Sequence, residues 1–458
     1  MKHFSYQMIL PILLILSGLV FSCRPKEQEP KNATLSMTSL SLGIGEKKTI
    51  SVTGISEKDR VNWSIDKPEV ASIDNGVVTA KALGQALITA SIEYSGGKNQ
   101  KLTCQLTVLA GKDTHIQFED ANLKRLILER YPLIDLNKDG ELTPEEAKGA
   151  KSLMFEFESK DDITSNNKIT NLKGLEYFVN LDSLGLKNQY VSDATPIFGL
   201  KRLTYLHLGN NNIAMLDVSG MKQLSDLRAY GNSRLKELNL SNNTELRELY
   251  LQNVSITRID LTPLKKLTKA LLNRGKLEQI AFSDLPVLER IDIVENNLKG
   301  LTANNLPALR ELHANKNQIE KVDLKNLPEL QRLNLYENKL TQIDLTAFPK
   351  IMFLFLFDNN LSQLDLSKQT SLLHLFVSNN PLETLDLSKN SHISSIEAIN
   401  MPRLKTINLR NQGYNEEAEY FIVEGNNLLE KVLVDSGAEE THVRNLFKNN
   451  SKVTIEAQ

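Results

Sequence analysis

Between Leu181 and Ile393 the apolar positions recur on a nearly fixed period, with leucine or isoleucine at 203, 224, 246, 267, 288, 309, 330, 351, 372 and 393. Successive starts lie 21 residues apart, with one extra residue entering between 181 and 203 and another between 224 and 246. A period of that length, held over many copies, predicts stacked turns that cannot bury a core singly. One turn, Leu330-Gln-Arg-Leu333-Asn-Leu335-Tyr-Glu-Asn338-Lys-Leu340-Thr-Gln-Ile343-Asp-Leu345, shows how. Leu333 and Leu335 alternate with polar neighbours, which predicts a short parallel strand with one buried face. A second apolar pair, Ile343/Leu345 here and Leu364/Leu366 and Leu385/Leu387 later, closes the core. Asparagine returns at 211, 232, 296, 317, 338, 359 and 380, placed to bond backbone groups of the adjacent turn, and Val254 and Gly275 interrupt this ladder.

The residues between and beside the strand leucines face solvent in columns, about 4.8 Å apart from turn to turn. Aromatic residues gather in two places along these columns. Tyr336, Phe353, Phe355, Phe357, His374 and Phe376 fall on three neighbouring strands, and Tyr205, His207, Tyr230 and Tyr250 on another three. Phenylalanine on a solvent-facing sheet is costly unless something covers it, so the first group is expected to be a contact site for a partner. The C-terminal segment or a second copy of the chain are the other covers to be weighed. Glu248, Lys269, Arg290, Asp292, Glu311 and Arg332 lie between the groups and would set selectivity.

Ahead of the repeats the pattern changes twice. From 34 to 110, short alternating strands (Leu40/Leu42, Thr49–Val52, Val61–Trp63, Ala86–Ile92, Leu102–Val108) predict a small β-sandwich. Trp63, the only tryptophan, is assigned to its core, and Cys104 to a buried strand position. The order Trp63-Ser64, Val70-Ala-Ser-Ile-Asp74, Asn75-Gly76 and Gly84-x-Ala86-x-Ile88-Thr89-Ala90 resembles the bacterial group 2 immunoglobulin-like domain. That resemblance implies a spacer on a surface protein.

From 111 to 160 the chain carries Asp135-Leu-Asn137-Lys-Asp139-Gly140-Glu141-Leu142-Thr143-Pro-Glu-Glu146. Oxygen donors at loop positions one, three, five, seven and twelve, with glycine at six, are the pattern of a calcium loop. Asp135, Asn137 and Asp139 would bind by side chain, Glu141 by its carbonyl, Glu146 bidentately, and Thr143 directly or through water. The segment resembles a single EF-hand, with Phe118 to Arg130 as entry helix and Pro144 to Phe155 as exit helix. Placed just before the first turn, which exposes apolar core, it is expected to serve as an N-terminal cap stiffened by Ca2+.

The termini complete the organisation. Met1 to Ser22 has a basic start and the apolar run Met8 to Phe21, the pattern of an export signal and shorter than a membrane span requires. Val20-Phe-Ser-Cys23 resembles the bacterial lipoprotein box, which implies acylation of Cys23 after removal of residues 1–22, and the proline- and charge-rich stretch ending at 33 reads as a tether. The repeats are assigned to 161–410, and 411–458 to a C-terminal cap with a helix over 438–448 and a final strand.

Composition narrows the function classes. Hydrophobic residues make up 41% of the 458 and aromatics only 6%, so leucine fills the core. The net charge of −2 and the lack of a basic stripe argue against nucleic acid. His207 and His313 stand five turns apart, too far to share a metal or proton, and no phosphate loop, nucleophile elbow or zinc spacing occurs, so no enzyme is expected. Asp217, Asp260, Asp323, Asp344, Asp365 and Asp386 are expected to bond turn backbone.

The full repeat, L-x-x-L-x-L-x-x-N-x-L-x-x-L-D-L-S, is that of a leucine-rich repeat and resembles the internalin type of bacterial surface proteins. This resemblance implies an α/β leucine-rich repeat solenoid with a parallel concave sheet that recognises protein, often in adhesion or host contact. The chain therefore reads as an envelope lipoprotein, anchored at the outer membrane and facing outward or into the periplasm. Glycan capture and a purely architectural role are the alternatives.

Overall fold

The computed structural model describes residues 32–109, 115–414 and 420–458, the side chain of residue 420 excepted. The expected signal segment, the Cys23 acylation site and all but the last residues of the tether lie outside them. Among the described residues no helix is long and apolar enough to cross a membrane. The chain divides into two compact units, Met1–Gly111 and Lys112–Gln458.

The first unit is a sandwich of two sheets. One has the order Ser39–Gly43, Asn99–Leu109, Gly84–Glu93, Arg60–Ile65, and the other Lys47–Thr49, Val77–Ala80, Ala71–Asp74. Inward residues of both sheets, among them Leu42, Ile88, Cys104 and Leu106 from one and Ala71 and Val78 from the other, form a single buried cluster. Trp63 is only half-buried and packs against the edge of that cluster, so small aliphatic side chains fill the centre instead of its ring. Asn75 and Gly76 both take positive φ (47° and 80°), the pair required by a tight hairpin between Ala71–Asp74 and Val77–Ala80. Ala33, expected as tether, is already buried in the sandwich, its N–H donating to Tyr94 Oη and Gln100 Oε1, both at 3.2 Å.

The second unit is a solenoid. Thirteen parallel strands among the described residues form one sheet, starting at Ser152–Met154 and ending at Tyr420–Ile422. Register is constant: the central residue of each strand pairs with that of the next, as Leu333 with Leu312 and Leu354, and it is buried in every strand but the last, where Phe421 is half-buried. The other wall of the coil consists of short parallel strands in three groups: Arg258–Asp260 with Gln279–Ala281, Gly300–Asn304 with Lys321–Lys325, and Thr384–Asp386 through Thr406–Asn408 and Lys431–Val434 to Thr454–Ala457. The expected α/β solenoid is corrected here, since between residue 198 and 437 no helix occurs among the described residues. The second apolar pair of each turn is spaced two apart, which is the spacing of a strand.

Two devices hold the turns in register. Each ladder asparagine donates from Nδ2 to two carbonyls and accepts a backbone N–H at Oδ1; for Asn359 the partners are Leu335 O (2.9 Å), Leu356 O (3.0 Å) and Leu340 N (3.0 Å). Gln189 and Asn426, absent from the expected ladder, extend it at either end. The residue before the ladder position takes a left-handed conformation in turn after turn, at Asn210, Asn253, Arg274, Glu295, Lys316, Glu337, Asp358 and Asn379. This twist directs its N–H to the next turn, as from Lys316 to Tyr336 O at 3.0 Å.

Both ends differ from the sequence boundaries. The expected exit helix is a single turn, Pro144–Ala147, after which the chain enters the first sheet strand, so Leu153 joins the core where helix was expected. The entry helix, Ala121–Arg130, begins at Asp120, whose Oδ1 accepts from Asn122 and Leu123 and whose Oδ2 accepts from Thr170 and Asn171 in the first turn. Its Leu123, Leu126 and Ile127 are buried in the solenoid core. At the far end one further turn follows residue 411, with a strand at Tyr420–Ile422 and Asn426 in the ladder, where the sequence period had seemed lost. The closing helix, Ala438–Leu446, packs on Lys431–Val434 and Thr454–Ala457.

Candidate functional site

The solvent face of the long sheet carries the candidate contact residues. Phe353 and Phe355 flank buried Leu354 on one strand, and His374 and Phe376 flank buried Leu375 on the next. Register places Phe353 beside His374 and Phe355 beside Phe376, with ring centroids 5.1 and 5.0 Å apart, the second pair edge to face. Tyr336 and Phe357, two positions beyond the ends of their strands, stack with centroids 4.3 Å apart and planes 11° from parallel. All six expected contact residues thus come together. Each is half-buried, shielded in part by its neighbours, and none of the six belongs to the solenoid core. The closing helix packs on strands of the opposite wall, so among the described residues the expected alternative of a C-terminal cover is not what is found.

Charged residues border the cluster on its N-terminal side. Glu311 accepts from Arg290 at 3.1 Å and from His313 Nε2 at 3.2 Å, and Asn334 Nδ2 lies 2.7 Å from His313 Nδ1. Burial lowers the His313 pKa, against the Glu311 hydrogen bond that raises it. Arg332 stacks over Phe353 at 4.2 Å and lies 5.8 Å from the Phe355 centroid.

The tyrosine group is of another kind. His207 is buried, and its Nδ1 lies 2.7 Å from Glu156 while its Nε2 lies 3.1 Å from Tyr230 Oη. Arg228 forms a two-bond pair with Asp226 (2.9 and 2.7 Å) between the rings of Tyr205 and Tyr250. Burial pushes the Tyr205 hydroxyl up to about 12, and burial with the Glu248 hydrogen bond does the same for Tyr250. These polar groups satisfy one another. Glu156, which follows the first strand and reaches across Gly185 to His207, was not singled out in the sequence, because only the folded coil brings residues 51 apart into contact.

The acidic loop was the second candidate. Asp135 Oδ2 accepts from Gly140 N–H at 3.0 Å, Asn137 Oδ1 from Asp139 N–H at 3.0 Å and Asp139 Oδ1 from Glu141 N–H at 2.8 Å. Gly140 has φ +78°, as the sharp turn requires. Asp135 Oδ1 is buried without a hydrogen-bond partner, an orphan of the kind a cation relieves. Glu146 is the third residue of its helical turn and forms a capping box with Thr143, while its Oε1 accepts from Leu136 N–H at 2.9 Å. Burial pushes the Glu146 carboxyl up, but the Thr143 and Leu136 hydrogen bonds outweigh it and hold it below its ordinary value. The Glu141 N–H bond likewise lowers Asp139. The Glu141 side chain pairs with Lys124, which leaves only its carbonyl for an ion. No group of three or more His, Cys, Asp or Glu side chains converges to hold a metal among the described residues. The donor set suits a hard cation in kind, through one free buried carboxylate oxygen rather than through gathered carboxylates.

The aspartates of the second half-turn behave as expected at Asp217, Asp260, Asp344, Asp365 and Asp386, each accepting a turn N–H two residues on at 2.9 Å. Asp323 instead pairs with Lys325 at 2.8 Å.

Residues 307–347 match the family described as Leucine Rich repeats (2 copies), so leucine-rich repeats are present in the solenoid. No curated protein matches the chain. Among solved structures, the functional domain of InlJ from Listeria monocytogenes, which includes a cysteine ladder, is 22% identical over 69% of this chain with a TM-score of 0.46. The alignment spans 64% of that domain's length. The internalin InlF of the same organism is 21% identical over 69% of this chain and 95% of its own, with a TM-score of 0.39. The effector YopM from Yersinia pestis is 23% identical over 55% of this chain and 74% of its own, with a TM-score of 0.41.

Proposed function

We propose that this chain is a cell-envelope lipoprotein, anchored through Cys23, that binds a protein partner on the solvent face of its repeat sheet in adhesion or cell-surface contact. The observation that carries the reading is the set of Tyr336, Phe353, Phe355, Phe357, His374 and Phe376, held in register on neighbouring strands and outside the core. Rings so placed give up hydration without strain when a partner covers them. The sandwich acts as the immunoglobulin-like spacer between membrane and repeats. The helix Ala121–Arg130 with its acidic loop acts as the cap over the first turn. Asp135, Asn137, Asp139, the Glu141 carbonyl and Glu146 would hold Ca2+ there, the ion neutralising carboxylates beside the solenoid's end.

Three ring faces are already occupied, since Tyr336 and Phe357 stack on each other and Arg332 covers Phe353. That leaves little surface for stacking on sugars and favours protein over glycan. The test is crosslinked capture from envelope and host-cell extracts, comparing the chain with a Phe353/Phe355/Phe357→Ser variant of unchanged circular dichroism. The proposal expects one specific protein lost with the variant; equal capture by both, or binding only on a glycan array, would refute it. For the loop, calorimetry with Ca2+ is expected to give a single site that Asp135→Asn abolishes, and no heat with the unaltered chain would remove calcium from the account.

A further inference from the structure

Among the described residues, most cations in the outward columns of the sheet have a partner. Lys187 pairs with Glu158, Arg228 with Asp226 and Arg290 with Glu311, and Lys269 donates to Tyr250 Oη. Arg332 stands apart, with neither a carboxylate within salt-bridge distance nor a side-chain hydrogen bond among them. The nearest candidate by register is Glu311, directly opposite on the adjoining strand, but Arg290 and His313 already occupy its carboxylate. Arg332 lies instead with its guanidinium over the rings of Phe353 and Phe355. A guanidinium stacked by its face keeps its N–H edge for a planar acceptor, and an apolar surround strengthens such a pair. An arginine without a salt bridge among the described residues and the rings of Phe355 and Phe376 thus occupy one place on the sheet.

We propose that this place recognises a polypeptide segment in which an aspartate or glutamate lies within two residues of an aromatic or aliphatic side chain. The carboxylate pairs with Arg332 and the apolar side chain covers Phe355 and Phe376. The inference rests on the protein-binding reading above and adds to it the chemistry of the partner. Elsewhere on the face Arg228 and Arg290 already hold Asp226 and Glu311, and Glu397, opposite Phe376 on the next strand, accepts from Ser378 Oγ at 2.8 Å, so the partner's carboxylate is received on the Arg332 side of the rings.

The test uses a displayed library of random 12-residue peptides, panned on the whole chain and counter-panned on Arg332→Met and on Phe355→Ser, both checked by circular dichroism. A synthetic peptide from the selected set is then compared with its copy bearing Asn or Gln in place of the acid. Selected sequences are expected to pair an acid with a neighbouring apolar residue. Arg332→Met is expected to weaken the acidic peptide about tenfold, and removing the peptide's carboxylate to weaken it by a similar factor. The two changes together should cost no more than one alone, because they break the same contact. Apolar sequences without an acid, lost on Phe355→Ser but indifferent to Arg332→Met, would overturn this inference and leave the protein-binding reading standing. Selection indifferent to both substitutions, no selection at all, or tighter binding of an oligogalacturonate than of any peptide would overturn both.

Discussion

Asn338 lies buried in the turn that carries Arg332 and Tyr336, and its side chain makes three strong bonds. Nδ2 donates to Ala314 O at 3.1 Å and to Leu335 O at 3.0 Å, and Oδ1 accepts from Ile319 N at 3.0 Å. Asn338→Ala removes all three and leaves the Ile319 N–H without its partner, while Ala314 O and Leu335 O keep the Nδ2 donors of Asn317 and Asn359. At about 1 kcal/mol net per bond the loss is about 3 kcal/mol, and it approaches 4 kcal/mol if the Ile319 N–H stays orphaned. Asn297, two turns earlier, exposed and without a side-chain hydrogen bond among the described residues, provides a control whose replacement by Ala should stay within about 0.5 kcal/mol. Urea unfolding followed by far-ultraviolet circular dichroism measures both, and amide hydrogen exchange of the peptide containing Ile319 locates the change. The two gaps in the ladder show how the chain manages without the amide. At Val254 the N–H that an asparagine would have received, that of Leu235, turns to Asn232 O at 2.9 Å. If Asn338→Ala unfolds at the same urea concentration as Asn297→Ala, the turn has found a comparable rearrangement. The claim that the amides hold the register would then fail.

Other substitutions test other parts of the account. Gly231 has φ +70°, and a Cβ there would sit 2.0 Å from Asn210 Oδ1, so Gly231→Ala should cost about 1–3 kcal/mol in urea unfolding, whereas Gly199→Ala, with open space around it, should cost under about 1. Burial raises the Glu439 carboxyl to about 7 from its ordinary 4.5. A raised acid binds its proton more tightly folded than unfolded, so its contribution is present below pH 4.5 and lost as pH rises toward 7. Glu439→Gln should therefore raise the melting temperature at pH 8 and leave it nearly unchanged at pH 4; an unchanged value at pH 8 would contradict the assignment.

Much of this fold was legible because its period was. Leucine spacing marks the strand centres, and alternation around Leu354 and Leu375 turns four residues of the cluster outward. The asparagine positions were readable for the same reason. The left-handed residues were not: Arg274, Glu295, Lys316 and Glu337 carry no turn signature, and the coil imposes their conformation on them. The exit helix was misjudged because Pro144 to Ala147 begins well, with a proline and a capping box, while the strand that follows is set by pairing of Leu153 with Leu184 across the coil. The last turn was missed because 25 residues separate Ser395 from its register partner at 420, which breaks the period without breaking the stack. The pairing of Glu311 with Arg290 and His313, which leaves Arg332 free, depends on rotamers that no linear pattern contains.

The central claim is that the aromatic face of the long sheet, and not the opposite wall, meets the partner. Photoreactive benzoylphenylalanine in place of Phe355 and, separately, in place of Thr302 on the opposite wall tests it in intact cells. The account predicts one crosslinked protein from position 355 and none from position 302; crosslinking from 302 alone, or equally from both, would contradict it.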